Sequence, residues 1–376
     1  MWAAIFGIVI VMAIGAVAFL CTRVYRFVPL GKSRAFAPNR RLRMFECVIG
    51  VLAGIVVLCL AMGYVNAAII VIHLVAFWLL AELFFYPIKK IRGKRFVYDF
   101  AGALAILTTT VYLSVGWALA KNVWATAYKI DTHKLAGDLR IVMFADSHVG
   151  STFDGNGFSA HVKRMQACDP DIVIIAGDYV DDDTSRADMI AACRALGTLD
   201  TKYGVFYAFG NHDKGYYSDS LRSFTVAELT VELEKNNVTI LQDEVKLIDD
   251  RFYVIGRQEA NELRRGTARS DIFELTKDLD KDKFSIVINH QPTDYANEAK
   301  AGVDLVLSGH THGGQMFPIG FISDLFGLND RAYGREKRAN TNFIVTSGIS
   351  DWAMSFKTGC YSEFVIVDVH GSQAAR

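Results

Sequence analysis

Five times in this chain a short apolar run stops at a residue able to hold a metal or move a proton. Residues 139–145 lead into Asp146-Ser147-His148, and 171–176 lead into Gly177-Asp178. Residues 203–209 lead into Gly210-Asn211-His212-Asp213, and 284–289 into His290. Residues 303–307 precede Gly309-His310-Thr311-His312-Gly313-Gly314-Gln315. Apolar runs of this length closed by glycine read as buried strands ending in tight turns. Open α/β sheets place their ligands in the crevice beyond the carboxyl ends of the strands. One His-x-His in a turn is as readily a surface pair as a ligand pair. Five strand ends delivering Asp, Asn and His to one crevice are not explained by packing.

Helical stretches at 158–167, 187–196, 226–235, 272–279 and 294–301 alternate with these runs, the spacing of βαβ units. Late strands at 253–256, 343–346 and 364–369 have few helices between them, and 125–130 is a candidate edge strand. The mixture predicts two sheets packed face to face with helices outside.

The order Asp-x-His, Gly-Asp, Gly-Asn-His-Asp, His, Gly-His-Thr-His resembles the calcineurin-like metallophosphoesterases over roughly residues 128–370. The resemblance implies a four-layer α/β/β/α sandwich and a site for two divalent metal ions. Carried onto these positions, Asp146, His148 and His312 would hold one ion, and Asn211, His290 and His310 the other, with Asp178 bridging. His212 would serve the leaving oxygen as general acid or stabilise the phosphoryl charge, and Asp213 would orient it. The implied reaction is hydrolysis of a phosphodiester or pyrophosphate by attack of a metal-bridging hydroxide. A nitrogen and oxygen donor set without thiolate suits manganese first, then iron, zinc or nickel, and affinity alone does not choose among them.

The rest of the chain bears on location. Hydrophobic residues make up 52% of it, and the excess lies near the N-terminus. Segments 1–20, 47–64, 67–86 and 100–120 have the length and apolarity of membrane helices. They predict an all-α membrane domain of four transmembrane helices over residues 1–121, followed by the phosphoesterase domain over 122–376. A tight turn around Asn66 would join the second and third segments. No basic region precedes the first segment, so it is a poor cleavable signal. The loops 21–43 and 87–99 are rich in Lys and Arg, which makes both cytoplasmic by the positive-inside rule. The expectation is a multi-pass cell-membrane protein with its catalytic domain on the extracytoplasmic face. His73 and Glu82 fall in the third segment, where polar groups are functional suspects. Their plainer reading is a hydrogen bond within the bundle for His73 and a position near the cytoplasmic interface for Glu82.

Residues 1–121 carry thirteen Lys and Arg against three Asp and Glu, out of forty of each in the whole chain. The remainder is therefore acidic, with twenty-seven basic and thirty-seven acidic residues. That balance does not suit nucleic acid, which wants a basic groove. The acidic run Asp181-Asp182-Asp183 reads as a solvated loop. Asp154-Gly155-Asn156-Gly157 lacks the spacing of a phosphate cradle and reads as a flexible turn. Six cysteines show no Cys-x-x-Cys spacing and read as ordinary core residues.

The Gly-Gly-Gln after the last histidine and the apolar N-terminus look like the membrane-attached bacterial branch of the family. That branch contains transmembrane metallophosphoesterases and is related to UDP-diacylglucosamine hydrolases. The expected substrate is a phosphoester, in a lipid-linked or cell-envelope molecule. A UDP-diacylglucosamine pyrophosphate hydrolase is the alternative, although its substrate would need a cytoplasmic site. A non-catalytic membrane sensor of a phosphorylated ligand is another, which a general acid at His212 opposes. Phe317, Phe321, Leu325, Phe326 and Leu328 make residues 317–340 rather apolar, either as a lipid-facing lip or as a helix packed on the sandwich. Oligomeric state leaves no sequence signal.

Overall fold

The computed structural model describes residues 2–27, 39–92, 99–216, 221–260, 262, 266 and 268–372. The basic loops expected at 21–43 and 87–99 lie partly outside the described residues. Contacts divide the chain into two units, residues 1–115 and 116–376.

The first unit is helical. Helix α1 spans Trp2–Phe27, α2 Arg40–Arg92, and α3 Phe100–Lys121. The expectation of four spanning helices is corrected here. Two helices among the described residues are long and apolar enough to cross a membrane, Arg41–Arg92 and Phe100–Lys121, and Ala13–Tyr25 of α1 is a shorter apolar piece among them. The expected second and third segments fall within one element, α2, and the break between them lies at Gly63, three residues before the turn foreseen at Asn66. Asn66 stays helical and its amide donates to the Met62 carbonyl at 2.8 Å. The backbone leaves helical values inside α2 at Gly63, φ 79° and ψ 159°, a conformation open to glycine for want of a Cβ. Leu60, Leu83 and Phe84 on α2 are exposed, unlike the side chains of a core helix in a soluble domain. The polar groups on α2 follow the plainer reading in part. His73 Nδ1 sits 2.8 Å from the Ile69 carbonyl. Glu82 instead meets Arg23 of α1, with Nε to Oε1 at 2.6 Å and the second guanidinium nitrogen to Oε2 at 2.7 Å, a bidentate pairing.

The second unit holds two six-stranded sheets. Their strands, in chain order, are β1 Trp124–Asp131, β2 Asp138–Phe144, β3 Ile172–Ile175, β4 Val205–Tyr207, β5 Val238–Ile240, β6 Glu244–Ile248, β7 Phe252–Gly256, β8 Phe284–Ile288, β9 Leu305–Ser308, β10 Gly334–Arg338, β11 Thr341–Val345 and β12 Glu363–His370. One sheet runs β1-β12-β2-β3-β4-β5 and the other β10-β11-β9-β8-β7-β6. The candidate edge strand is β1. It pairs in parallel with β12, which in turn lies antiparallel to β2.

Strand residues alternate between two cores, as a period of two requires. Ile141 and Met143 of β2, Ile172 and Ile174 of β3, and Leu305 and Leu307 of β9 meet in one cluster between the sheets. Val142, Phe144, Val173 and Ile175 face the opposite way, with residues of α4 Gly155–Gln166, α5 Arg186–Leu196 and α6 Val226–Lys235. Val287 and Val306 pack with residues of α7 Ile272–Thr276 and α8 Tyr295–Ala301 on the far side of the second sheet. The layers are therefore helix, sheet, sheet, helix, as expected. A further helix, α9, spans Ile319–Phe326. The six cysteines are unpaired thiols.

Ile286 on β8 is fully buried between the sheets, so Ile286→Ala should cost about 2–5 kcal/mol. Val231 is exposed on α6, and Val231→Ala should stay within about 0.5 kcal/mol. Thermal unfolding of the two variants checks the difference, and equal midpoints would contradict the inter-sheet core.

Candidate metal centre

The strands β2, β3 and β4 are neighbours in one sheet, and β8 and β9 are neighbours in the other. Their carboxyl ends deliver the expected residues to one place. Asp146, His148 and His312 offer ligand atoms that lie within 4.8 Å of one another, and so do Asp178, His290 and His310. His148 Nε2 is 3.3 Å from His312 Nε2, and His312 Nε2 is 3.7 Å from Asp146 Oδ1. Asp178 Oδ2 lies 3.1 Å from His290 Nε2 and 4.0 Å from His148 Nε2, so one carboxylate oxygen reaches toward both groups. Asn211 Oδ1 is 3.2 Å from His290 Nε2, and its amide nitrogen donates to the Tyr216 hydroxyl at 2.6 Å. That bond turns the amide oxygen toward the histidines.

The turns that present these groups are strained. Asp146, His148, Asp178, His310 and His312 all have positive φ, between 35° and 72°. Non-glycine residues rarely adopt such values, and where they do the surrounding contacts must hold them there. The His310 backbone N–H points at both oxygens of Asp146 at 3.0 Å. The His212 backbone N–H donates to Asp178 Oδ1 at 2.8 Å. Glycine permits the close approach between turns. A Cβ on Gly210 would come within 2.2 Å of Asp178 Oδ1, and one on Gly309 within 2.5 Å of Asp146 Oδ2.

The electrostatics fit cations. Burial would lower His290, yet the Asp178 carboxylate drives it up to about 10. Burial would raise Asp178, but the His290 charge and hydrogen bond pull it well below the usual carboxylate range. Burial, with His290 opposing, pushes Asp146 up to about 6. Burial and the neighbouring His290 charge push His310 down to about 4, and burial with His148 nearby holds His312 neutral. The Asp178 carboxylate thus draws positive charge onto the buried His290 imidazole. Beyond the His290 imidazole at 3.1 Å, Asp178 Oδ2 has no hydrogen-bond partner among the described residues. Two divalent cations on the same donors would meet both needs, with neutral imidazoles as ligands.

Asp181 and His212, both neighbours of His148, line an open cavity of about 280 Å³ together with Asp182, Asp183, Tyr216 and Trp352. The His212 ring stands 4.9 Å from each of the His148, Tyr216 and Trp352 rings. Burial lowers its pKa, against the pull of Asp178.

Asp213 departs from expectation. Its carboxylate is fully buried and is spent on the backbone rather than on His212. Oδ2 accepts from the N–H groups of Gly210 at 2.6 Å and Asp178 at 2.8 Å; Oδ1 accepts from Tyr179 at 2.8 Å and Val180 at 3.1 Å. The acidic run is also corrected. Asp181 is buried, with Oδ2 3.3 Å from His148 Nδ1, and Asp182 holds Arg222 at 3.1 Å. A carboxylate on the far nitrogen of a ligand imidazole fixes its tautomer and orientation. Sequence reasoning missed Asp181 in that role, and it missed Tyr216 and Trp352. The closeness of Asp181 to Asp178 was the available signal, but nothing in a run of three aspartates marks which one turns inward.

Replacing the Asp213 carboxylate by an amide would set an N–H₂ against backbone donors. Asp213→Asn should therefore lower stability by about 3 kcal/mol and reduce bound metal, read by thermal unfolding and elemental analysis. A variant of unchanged midpoint that fails only in turnover would restore the role of orienting His212.

Residues 139–314 match the family model for the calcineurin-like phosphoesterases. An uncharacterized metallophosphoesterase of Campylobacter jejuni is 31% identical over 277 residues, covering 70% of this chain and 67% of that protein. A bovine transmembrane protein with a metallophosphoesterase domain is 29% identical over 69% of this chain and 60% of its own length. An uncharacterized metallophosphoesterase of Aquifex aeolicus is 29% identical over 65% of this chain and 90% of its own length. Motifs, sandwich and ligand groups agree with these similarities: the chain belongs to the calcineurin-like metallophosphoesterases, metal-dependent hydrolases of phosphoester bonds.

Proposed function

We propose that this chain is a membrane-anchored, binuclear metal-dependent hydrolase of a phosphodiester or pyrophosphate in a lipid-linked or cell-envelope substrate. The observation that carries the reading is the pair of ligand groups meeting at Asp178, with His212 standing beside His148 on the wall of an open cavity. Asp146, His148 and His312 would hold one divalent ion, Asn211, His290 and His310 the other, and Asp178 would bridge them. Manganese is the first candidate by donor type, with iron, zinc and nickel as alternatives. Such ions neutralise phosphoryl oxygens and lower the pKa of a water.

The protein's own residues do the rest. Asp181 holds the His148 ring in place. The Tyr216 hydroxyl turns the Asn211 oxygen inward. Asp213 fixes the backbone on which Asp178 sits. His212 donates a proton to the leaving oxygen, a role supported by its place on the cavity wall and outside both ligand groups. Trp352 and Tyr216 flank it and limit its motion. The domain reading, a membrane part to about residue 121 and a catalytic part beyond, is supported by the division of contacts near residue 116.

Asn211 and His212 are adjacent and should fail differently. Asn211→Ala removes an oxygen donor, so metal content should fall and excess manganese should restore part of the rate. His212→Ala should keep two ions while turnover drops about 10²–10⁴-fold. The loss should be largest for an alkoxide leaving group and smallest for nitrophenolate, which needs no proton. If His212→Ala loses metal, or slows both substrates equally, the general-acid assignment fails.

The basic stretch at 87–99 immediately precedes α3, which supports a cytoplasmic start for that helix and an extracytoplasmic catalytic domain. A reporter active only outside the cytoplasm should work when fused after Ala120 and stay silent when fused within the basic stretch 87–99. The reverse pattern would place the site in the cytoplasm.

A further inference from the structure

We infer that α9 and its flanks form a lipid-inserting surface, by which the catalytic unit engages a bilayer beside its metal centre. The helix is built the wrong way round for water. Phe317, Phe321, Leu325, Phe326 and Leu328 are 65–71% exposed, and Ile319 is 51% exposed. Ser323 is buried instead. Its hydroxyl accepts from the Asn329 side chain at 3.3 Å, and Asp324 Oδ1 accepts from the Ala332 N–H at 2.7 Å. The polar side of the helix is turned inward and satisfied by protein, while the apolar side is turned outward. A helix facing water shows the opposite arrangement. Single exposed apolar residues, such as Val231 on α6 or Phe273 on α7, need no explanation; a contiguous patch marks an interaction surface.

The patch is held in place. Pro318 O accepts from the Ile322 N–H at 2.9 Å, and Gly327 closes the helix in the left-handed conformation. The Thr358 hydroxyl accepts from the Phe317 N–H at 3.1 Å. The start of α9 lies against the turn that carries His310 and His312: a Cβ on Gly314 would come within 2.2 Å of the Gly320 nitrogen. The apolar surface and two candidate ligands therefore share one rigid support.

A bilayer is the occupant the chain itself points to. Two of its helices are long and apolar enough to cross one. Interfacial helices bury aromatic and aliphatic side chains at the boundary of headgroup and acyl chain. Docked in this way, α9 would bring the turn bearing His310 and His312 to the depth of a lipid's phosphate. The inference deepens the proposed function and rests on it for the kinetic measurement alone.

The test uses the full chain in lipid nanodiscs. Phe321→p-benzoylphenylalanine should photo-crosslink to lipid, seen by mass spectrometry as a lipid adduct, and Val231→p-benzoylphenylalanine should not. An adduct to a second copy or to another segment of the chain, or no difference between the two positions, would overturn the inference. In the same discs, the double variant Phe321→Ser, Leu325→Ser should hydrolyse a soluble aryl phosphodiester within about twofold of the parent rate. Its rate on a phosphodiester lipid in the disc should fall by about tenfold or more, as apolar insertion area is lost. Equal loss on both substrates would reveal a purely structural role and overturn it. If the parent chain hydrolyses neither substrate, the phosphoesterase reading fails while the crosslink still decides the surface.

Discussion

The Asp213 carboxylate gathers the backbone N–H groups of Gly210, Asp178, Tyr179 and Val180, locking the turn after β3 against the turn after β4. Everything above it depends on that lock. The Asp178 side chain reaches both ligand groups because its backbone is fixed from below and its Oδ1 is held by the His212 N–H. The left-handed backbone at Asp146, His148, Asp178, His310 and His312 persists because neighbouring turns overdetermine it. One anion with its acceptor capacity used on the main chain thus supports a cluster whose own charges are far from balanced.

The candidate site was largely legible in the sequence because chemistry and topology coincide there. Strands of three to seven residues, each closed by Asp, Asn or His, can lie side by side in few ways, and the crevice beyond their ends collects the polar groups. The helix–sheet alternation was equally plain, down to Val226–Lys235, whose capping box on Thr225 and Glu228 begins it where expected. Other parts were opaque. Strands β5, β6 and β10 are short or charged, and Gly-Arg-Glu-Lys-Arg at β10 has no apolar alternation, since antiparallel pairing with β11 holds it. Asp213 looked catalytic because it follows His212, but adjacency along a turn does not say which way a side chain points. Asp181 looked solvated because acidic runs usually are. The turn between the second and third apolar segments was misplaced for a local reason: the break falls at Gly63, and Asn66, the polar residue that suggested a turn, satisfies itself within the helix.

The last strand also has a bearing on how the protein is made. β12 lies between β1 and β2, so the first strand of the catalytic unit has no neighbour until the end of the unit is available. Thr126 and Glu363, which meet side chain to side chain, are 237 residues apart. Glu363 also takes the Thr346 hydroxyl and the Ser347 N–H, just before Gly348, whose backbone lies against Asp146. On a ribosome, the strands from β2 to β5 can zip up early, whereas β1 and the exposed flank of β2 must wait, unpaired, for the closing piece. Such distant pairing is slow and leaves open sheet edges meanwhile. The candidate metal centre is therefore completed late in synthesis, and a nascent chain stalled before β12 would carry the candidate ligands without the scaffold that seats them.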